Sequence, residues 1–325
     1  MRKIANVLVM VETKLRLFNR VRTLSSAAVA IATVLSLLFS QWLGADSLGW
    51  QLVLATIALG IGIPHGAMDH LVTLPKSAPI RMAIFVIIYV AIALLAIYAI
   101  LRWNVWGFIF VVLMSAIHFG IGDAAFLSEK DSLDGSSRIP SWFYAPAAGL
   151  LPVAIPLVNS RSTDALEKVN PALINWHSGF TTEILIAVAA ITTLSLLALL
   201  QRKRYRDALD ILLLAALASF APPLVAFAVY FGCWHAMRHT ARLTSLLPNS
   251  ESAYLRGRPG QAFAAAVIPG LPALAGTFIF VIVLAGFSQQ DLSDKFLWLT
   301  LVTIWALTVP HMIVTAKLDR AALKK

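Results

Sequence analysis

Apolar stretches long enough to cross a lipid bilayer recur from residue 25 almost to the end of the chain. A membrane span needs about 20 mostly apolar residues, and only 13% of this chain is charged, against about 25% in soluble domains. The predicted spans are 25–44, 49–68, 80–101, 103–122, 141–158, 181–200, 207–220, 222–244, 262–286 and 296–316. We therefore predict an all-α polytopic bundle of about ten spans in the lipid bilayer.

Segment 207–220 is shorter than the other predicted spans. It holds about fourteen residues before Ala221-Pro222-Pro223. Two interpretations stay open: a short span, or a re-entrant element that neighbouring helices shield from lipid.

The distribution of basic residues predicts the orientation of the bundle. The chain has 26 Lys and Arg against 16 Asp and Glu, a net charge of +10. With the N-terminus inside, 22 basic residues fall on inner segments, and the outer ones are Arg102, Arg161, Lys168 and Lys295. This asymmetry predicts a cell-membrane (inner or plasma membrane) protein with both termini in the cytoplasm. We therefore attribute the positive charge to membrane sidedness and expect no nucleic-acid partner.

The first 24 residues carry six basic side chains but no apolar core of signal-peptide length. We expect residues 1–24 to form a basic cytoplasmic lead-in that lies on the membrane surface as an amphipathic helix. Residues 25–320 are expected to form a single transmembrane domain.

The histidines are concentrated in the apolar segments. Six of the seven lie in or at the ends of predicted spans two, four, eight and ten: His65, His70, His118, His235, His239 and His311. All four spans run from outside to inside, so the six imidazoles fall in one layer toward the cytoplasmic side. A single intramembrane histidine is usually a packing residue, but ionisable groups in a bilayer tend to mark function. We predict a metal or cofactor site in this layer.

The spacing of the histidines indicates which of them can share an ion. His235 and His239 are four residues apart and lie on one face of a helix. His65 and His70 are five apart, so both reach one ion only if the backbone is irregular. Residues that disturb a helix directly precede them: Gly60, Gly62 and Pro64.

The donor chemistry narrows the choice of metal. Imidazole suits Zn, Cu, Fe and Ni, and the lone cysteine, Cys233, leaves no thiolate cluster for structural zinc. Four imidazoles on an octahedral ion leave two open positions, which suits Fe²⁺ meeting O₂. Asp69 and Asp123 lie in the same layer. They are predicted either to orient ligating imidazoles or to be solvated at helix ends.

Other membrane chemistries lack their motifs here. The sequence has no H-E-x-x-H, no adjacent histidine pair, no phosphate-binding glycine loop and no mid-span lysine for a retinal Schiff base. A bis-histidine haem carrier and a metal transporter stay open. Haem would be detected by its Soret band, and a transporter would be expected to carry mid-span acidic residues.

Four motifs, in this order, resemble the Brp/Blh family of membrane β-carotene 15,15′-dioxygenases: PHGAMDH at 64–70, HFGIGD at 118–123, WHAMRH at 234–239 and PHM at 310–312. The resemblance implies Fe²⁺-dependent cleavage of the central double bond of β-carotene by O₂, giving two molecules of all-trans-retinal. It implies that the iron ligands are His65, His118, His235 and His239. His70 and His311 match further motifs and are expected to line the pocket or support the ligands.

The resemblance also implies an apolar tunnel and a functional link to a microbial rhodopsin. Residues expected to line the tunnel, or simply to pack between helices, are Phe119, Tyr230, Phe231, Trp234 and Trp305. Because the histidine layer is cytoplasmic and an upright carotene has its centre at the midplane, we expect a tilted or laterally entered tunnel. The alternative function is a non-catalytic carotenoid- or retinal-binding protein that assists rhodopsin assembly.

Overall fold

A computed structural model describes residues 2–44, 47–69, 79–159, 162, 167, 170–286 and 292–324. Within these ranges every regular element is helical, and no strand occurs. The predicted all-α class is therefore confirmed.

Most of the chain folds into thirteen α-helices in the described ranges. In chain order they are α1 Arg2–Trp42, α2 Leu48–Gly62, α3 Pro79–Trp103, α4 Val105–Asp134, α5 Ser141–Val158, α6 Thr181–Gln201, α7 Tyr205–Phe220, α8 Pro223–Val229, α9 Met237–Leu243, α10 Pro248–Leu255, α11 Pro259–Val267, α12 Leu271–Gly286 and α13 Leu292–Lys324. Short 3₁₀ turns cover Ile63–Met68, Pro171–Leu173 and Ile268–Gly270, and a π-helical segment, Tyr230–Ala236, joins α8 to α9.

Six helices in the described ranges are long and apolar enough to cross a membrane: Ile4–Trp42, Pro79–Trp103, Val105–Asp134, Ser141–Val158, Thr181–Gln201 and Leu301–Lys324. The predicted spans 49–68, 207–220, 222–244 and 262–286 correspond to shorter or interrupted helices, because Pro and Gly residues break the regular ladder where hydropathy alone is continuous. The number ten and the inward orientation of both termini stay predictions.

Helix α1 continues without interruption through the predicted lead-in and the first predicted span. Leu17, Phe18 and Val21 are buried in the main core, and the Phe18 ring stacks on that of Phe126 with centres 4.9 Å apart. One side of α1 at residues 17–22 thus packs against the bundle, whereas Asn19 and Arg20 are exposed. The charge of Arg22 is neutralised by distant carboxylates. The position of the lead-in on a membrane surface stays a prediction.

Close backbone contacts fix the helices that carry the histidines. A Cβ atom on Gly120 of α4 would lie 2.0 Å from the carbonyl oxygen of Ala145 in α5. On Gly232 of the π-helical segment it would lie 1.7 Å from the carbonyl oxygen of Ala58 in α2. Only glycine permits such contact, a common device for helix packing in membranes.

Candidate metal centre and apolar cavity

Five imidazoles from different parts of the chain meet in the interior. His65 comes from the 3₁₀ turn, His118 from α4, His235 from the π-helical segment, His239 from α9 and His311 from α13. All five are buried, and the centres of neighbouring rings are 4.9–6.0 Å apart. We call this group the five-histidine cluster. His70 lies outside the described residues.

Irregular backbone positions two members of the cluster. Pro64 stands in the 3₁₀ turn that begins where α2 ends, and the Nδ1 atom of His65 hydrogen-bonds to the carbonyl of Gly62. His235 belongs to the π-helical segment, the kind of bulge that is frequent at functional sites. The His235 and His239 rings still stack at 6.0 Å and 17°, so the pair predicted from its spacing shares one face.

The cluster contains buried ring nitrogens that have no hydrogen-bond partner within the described ranges. They are Nε2 of His118, His235 and His311, and both nitrogens of His239. Burying a polar atom without a partner costs about 1–3 kcal/mol, so these nitrogens are the atoms of the cluster that are free to bind a ligand. Neutral imidazole nitrogens are good donors to Fe²⁺ and similar ions.

The separations of the neighbouring rings can be compared with those of imidazoles that share an ion. With metal–nitrogen bonds of about 2.1 Å, two imidazoles on one ion have centres about 4.6 Å apart at right angles and about 6.5 Å apart in line. The measured separations lie between these limits. No group of three or more His, Cys, Asp or Glu side chains in the described residues is already arranged to hold a metal. A shared ion would require these rings to turn so that their nitrogens point to one place.

The two carboxylates predicted for this layer have different partners. The Nδ1 atom of His311 donates to Asp69 at 2.8 Å, and the Tyr89 hydroxyl donates to the same carboxylate at 3.1 Å. Asp123 instead accepts hydrogen bonds from Arg238 and Tyr144, each at 2.7 Å. The expected contact between Asp123 and an imidazole is absent among the described residues, because a buried guanidinium competes more strongly for the carboxylate.

An apolar cavity of about 490 Å³ borders the cluster. His65, His118, His235 and His311 lie in its wall, and α3 and α13 form its long sides. Helix α3 contributes a stripe with a spacing of four residues: Phe85, Tyr89, Ala93 and Ile97. These positions extend about 18 Å along the helix.

The cavity reaches the outside of the described bundle along α3. Val86, Val90 and Leu94 line it and are at the same time about half exposed on the outside of the bundle. Thr303 and Thr308 also line it, but both hydroxyls donate to carbonyls of their own helix. This side of the cavity is therefore almost wholly apolar.

The predicted aromatic residues are divided between cavity and core. Phe119 and Phe231 line the cavity, and the Phe119 ring centre is 4.6 Å from that of His235. Tyr230 packs behind Phe119, and Trp234 packs flat against Arg238 at 3.5 Å. Within the described structure these two are core residues rather than tunnel residues, because consecutive positions of a helical segment point in different directions.

Trp305 lines a second apolar cavity of about 90 Å³. Phe108 and Phe227 share its lining, and the Phe227 ring stacks on that of Phe231 at 6.1 Å. A layer of aromatic rings therefore lies between the two cavities.

Sequence reasoning missed a buried ion-pair network beside the histidines. Arg238 is 1% exposed and contacts Asp123 at 2.7 Å and Asp210 at 3.2 Å. Arg22 contacts the same Asp210 at 2.9 Å and also pairs with Asp207. The network joins α1, α4, α7 and α9. Its one sequence signal is the three-residue spacing of Asp207 and Asp210, which puts both on one face of α7.

Fold and site together define a helical membrane protein with buried imidazoles at an apolar cavity. The family model described as beta-carotene 15,15′-dioxygenase matches residues 55–319. The chain therefore belongs to that family and is a dioxygenase. All members of the five-histidine cluster lie within the matched range.

One curated relative illustrates the similarity. The beta-carotene 15,15′-dioxygenase of uncultured marine bacterium 66A03 is 27% identical over 262 residues, covering 78% of this chain and 88% of the relative. No solved structure matches this chain.

Proposed function

We propose that this protein cleaves the central 15,15′ double bond of β-carotene with O₂ and yields two molecules of all-trans-retinal. One carbon–carbon double bond breaks and each new carbonyl takes one oxygen atom, so no further reductant is needed. The observation that supports this most directly is the group of buried imidazole nitrogens without a hydrogen-bond partner among the described residues, most of them at the wall of an apolar cavity, in a chain of this family.

We propose Fe²⁺ as the metal, with His65, His118, His235 and His239 as ligands. Bound Fe²⁺ would supply the activation of O₂. The protein's part is to hold neutral imidazoles in a dry interior and to keep water away from reactive oxygen. Phe119 and Phe231 contribute apolar surface beside these rings.

The cavity suits a substrate that is dissolved in lipid. A C40 hydrocarbon has no group for a polar site, and its binding comes from apolar contact. The half-exposed Val86, Val90 and Leu94 support entrance from the bilayer between α3 and α13. The tilt of the polyene stays a prediction.

We further propose a cell-membrane location with the cluster toward the cytoplasm, based on the asymmetric distribution of basic residues. The retinal product would then be released into the same bilayer. This supports a functional link to a microbial rhodopsin, which needs retinal.

Expression in a bacterium that accumulates β-carotene tests the function. We expect loss of orange colour and appearance of retinal, both abolished by His65→Ala, His118→Ala, His235→Ala or His239→Ala. His177→Ala, in the loop after the turn Pro171–Leu173, serves as the matched control and should leave retinal formation unchanged.

Three outcomes of this experiment would contradict parts of the proposal. Apocarotenals of unequal length would exclude central cleavage. Intact β-carotene that copurifies with the protein would indicate a carrier. Purified protein that keeps full activity after treatment with an Fe²⁺ chelator, with no iron detected by elemental analysis, would exclude the metal.

A further inference from the structure

The ring of His311 lies among the other imidazoles of the five-histidine cluster. Its centre lies 4.9 Å from that of His65, 5.2 Å from that of His239 and 5.3 Å from that of His118. It thus contacts three of the four proposed ligands from a helix, α13, that carries none of them. A residue that only lined the pocket would not need to stand among the other rings.

The two nitrogens of His311 have different surroundings. Nδ1 donates to the Asp69 carboxylate, with distances of 2.8 Å and 3.0 Å to its two oxygens. Nε2 is buried and finds no hydrogen-bond partner in the part of the chain that the structure describes. Because the two nitrogens lie on opposite sides of the ring, the bond to Asp69 directs Nε2 away from that carboxylate.

This arrangement is characteristic of a metal-bound histidine. Ligating imidazoles usually donate their second N–H to a carboxylate or a carbonyl, which fixes the tautomer and the ring orientation. In the described structure His311 has a carboxylate partner and His65 has the carbonyl of Gly62. The Tyr89 hydroxyl donates a further hydrogen bond to Asp69 at 3.1 Å. This bond helps to orient the carboxylate that accepts from His311.

We propose that His311 is a fifth imidazole ligand of the metal, and that Asp69 and Tyr89 are its positioning residues. The inference rests on the proposed function, since it concerns the same metal. Five imidazole ligands would leave the ion fewer positions for an external ligand than four. The apolar polyene would then be bound by the cavity and not by the ion.

Cobalt titration tests the assignment without reliance on activity. Metal-free purified protein in detergent micelles is titrated with Co²⁺, and the visible absorption of the bound ion reports affinity and coordination number. We expect one equivalent to bind to the wild type. Asp69→Asn should weaken binding by about 10- to 100-fold, the usual effect of losing such a partner, and Tyr89→Phe by less.

The decisive variant is His311→Ala. We expect Co²⁺ affinity to fall more than in Asp69→Asn and the absorption band to change shape and intensity. His177→Ala, whose ring lies in a loop and contacts Thr181, should titrate like the wild type. His311→Gly with added imidazole should regain the band, which separates loss of a ligand from misfolding.

The possible results distinguish this inference from the proposed function. Wild-type affinity and an unchanged band in a folded His311→Ala variant would overturn the fifth ligand and leave the four-histidine site intact. Wild-type protein that binds no Co²⁺ or Fe²⁺ would overturn the metal site and with it the fifth ligand. If His311→Gly regained nothing with imidazole while keeping the wild-type melting curve, the ligand assignment would also fail.

Discussion

The five-histidine cluster and the ion-pair network beside it are both buried groups of polar side chains, and α9 contributes one residue to each. In the network, every charged group of Arg22, Asp123, Asp210 and Arg238 has an oppositely charged partner. In the cluster, the nitrogens of His239 lack any hydrogen-bond partner among the described residues. His239 follows Arg238 directly, so one turn of helix serves both groups.

This difference indicates that the ion-pair network has a structural role and that the five-histidine cluster is the candidate binding site. Buried charges are tolerated when they are paired and hydrogen-bonded, and the network meets that condition without any added group. The cluster does not meet it within the described residues, and the proposed ion would complete it. The network therefore holds α9 in place, and His239 on the same helix is a proposed ligand.

The largest effect on stability should come from breaking the network. Arg238→Ala leaves Asp123 and Asp210 buried with one partner fewer. Removing one member of a buried ion pair costs about 3–5 kcal/mol. We expect a loss of this size in the free energy of unfolding, measured in detergent by a denaturant series.

Arg206→Ala is the matched control for that measurement. Its guanidinium donates only to the Ser26 hydroxyl at 3.0 Å among the described residues, and its side chain is exposed. It should stay within about 0.5 kcal/mol of the wild type. Equal destabilisation by the two substitutions would mean that the network is not a structural device.

A substitution in the five-histidine cluster should affect activity more than stability, the opposite of a substitution in the network. His239→Ala removes two buried nitrogens that have no hydrogen-bond partners in the described structure. The free energy of unfolding should therefore fall by about 1 kcal/mol or less, the effect of an average substitution. Retinal formation should fall by more than about 100-fold, beyond the loss expected for a residue that only supports a ligand. A strongly unfolded His239→Ala protein would place this residue with the network instead.

A substitution at Gly122, which packs against the His235 ring, should show how accurately that ring must be positioned for activity. A Cβ atom on Gly122 would lie 3.2 Å from Cε1 of His235, so Gly122→Ala displaces that ring by a few tenths of an ångström. We expect retinal formation to fall about tenfold, since small misplacements of reacting groups are costly. Gly260→Ala, which meets nothing within 4 Å, should have no effect. Equal activity of both variants would indicate a tolerant site.

The sequence predicts the layer of imidazoles but not how the backbone brings them together. Four-residue spacing correctly put His235 and His239 on one face, because helix periodicity is a local property. Pro64 and Gly62 indicated an irregular backbone near His65 without specifying a 3₁₀ turn. Nothing in the sequence indicates the π-helical segment, in which Gly232 packs against α2.

The ion pairs could not be predicted for a related reason. Arg238 and Asp123 are 115 residues apart, and Arg22 and Asp210 are 188 apart. Some of the arginines that were counted to predict the orientation in the membrane are buried and form ion pairs. Arg242, for example, pairs with Glu129 and Asp319. A charge count records how many such residues exist, whereas their partners are set by tertiary structure.

The smallest predicted effect on retinal formation concerns the apolar cavity. The five-histidine cluster forms only part of its wall. Ala93 is buried in the α3 stripe that lines it, and Ala93→Trp fills part of its 490 Å³. We expect retinal formation from β-carotene to fall several-fold while Co²⁺ affinity stays unchanged, and the free energy of unfolding to fall by no more than the about 1–3 kcal/mol that overpacking costs. Ile84→Trp, on the exposed side of the same helix, controls for the added indole. If the two variants behaved alike, the polyene would have to bind elsewhere, and the cluster would be a metal site that this cavity does not serve.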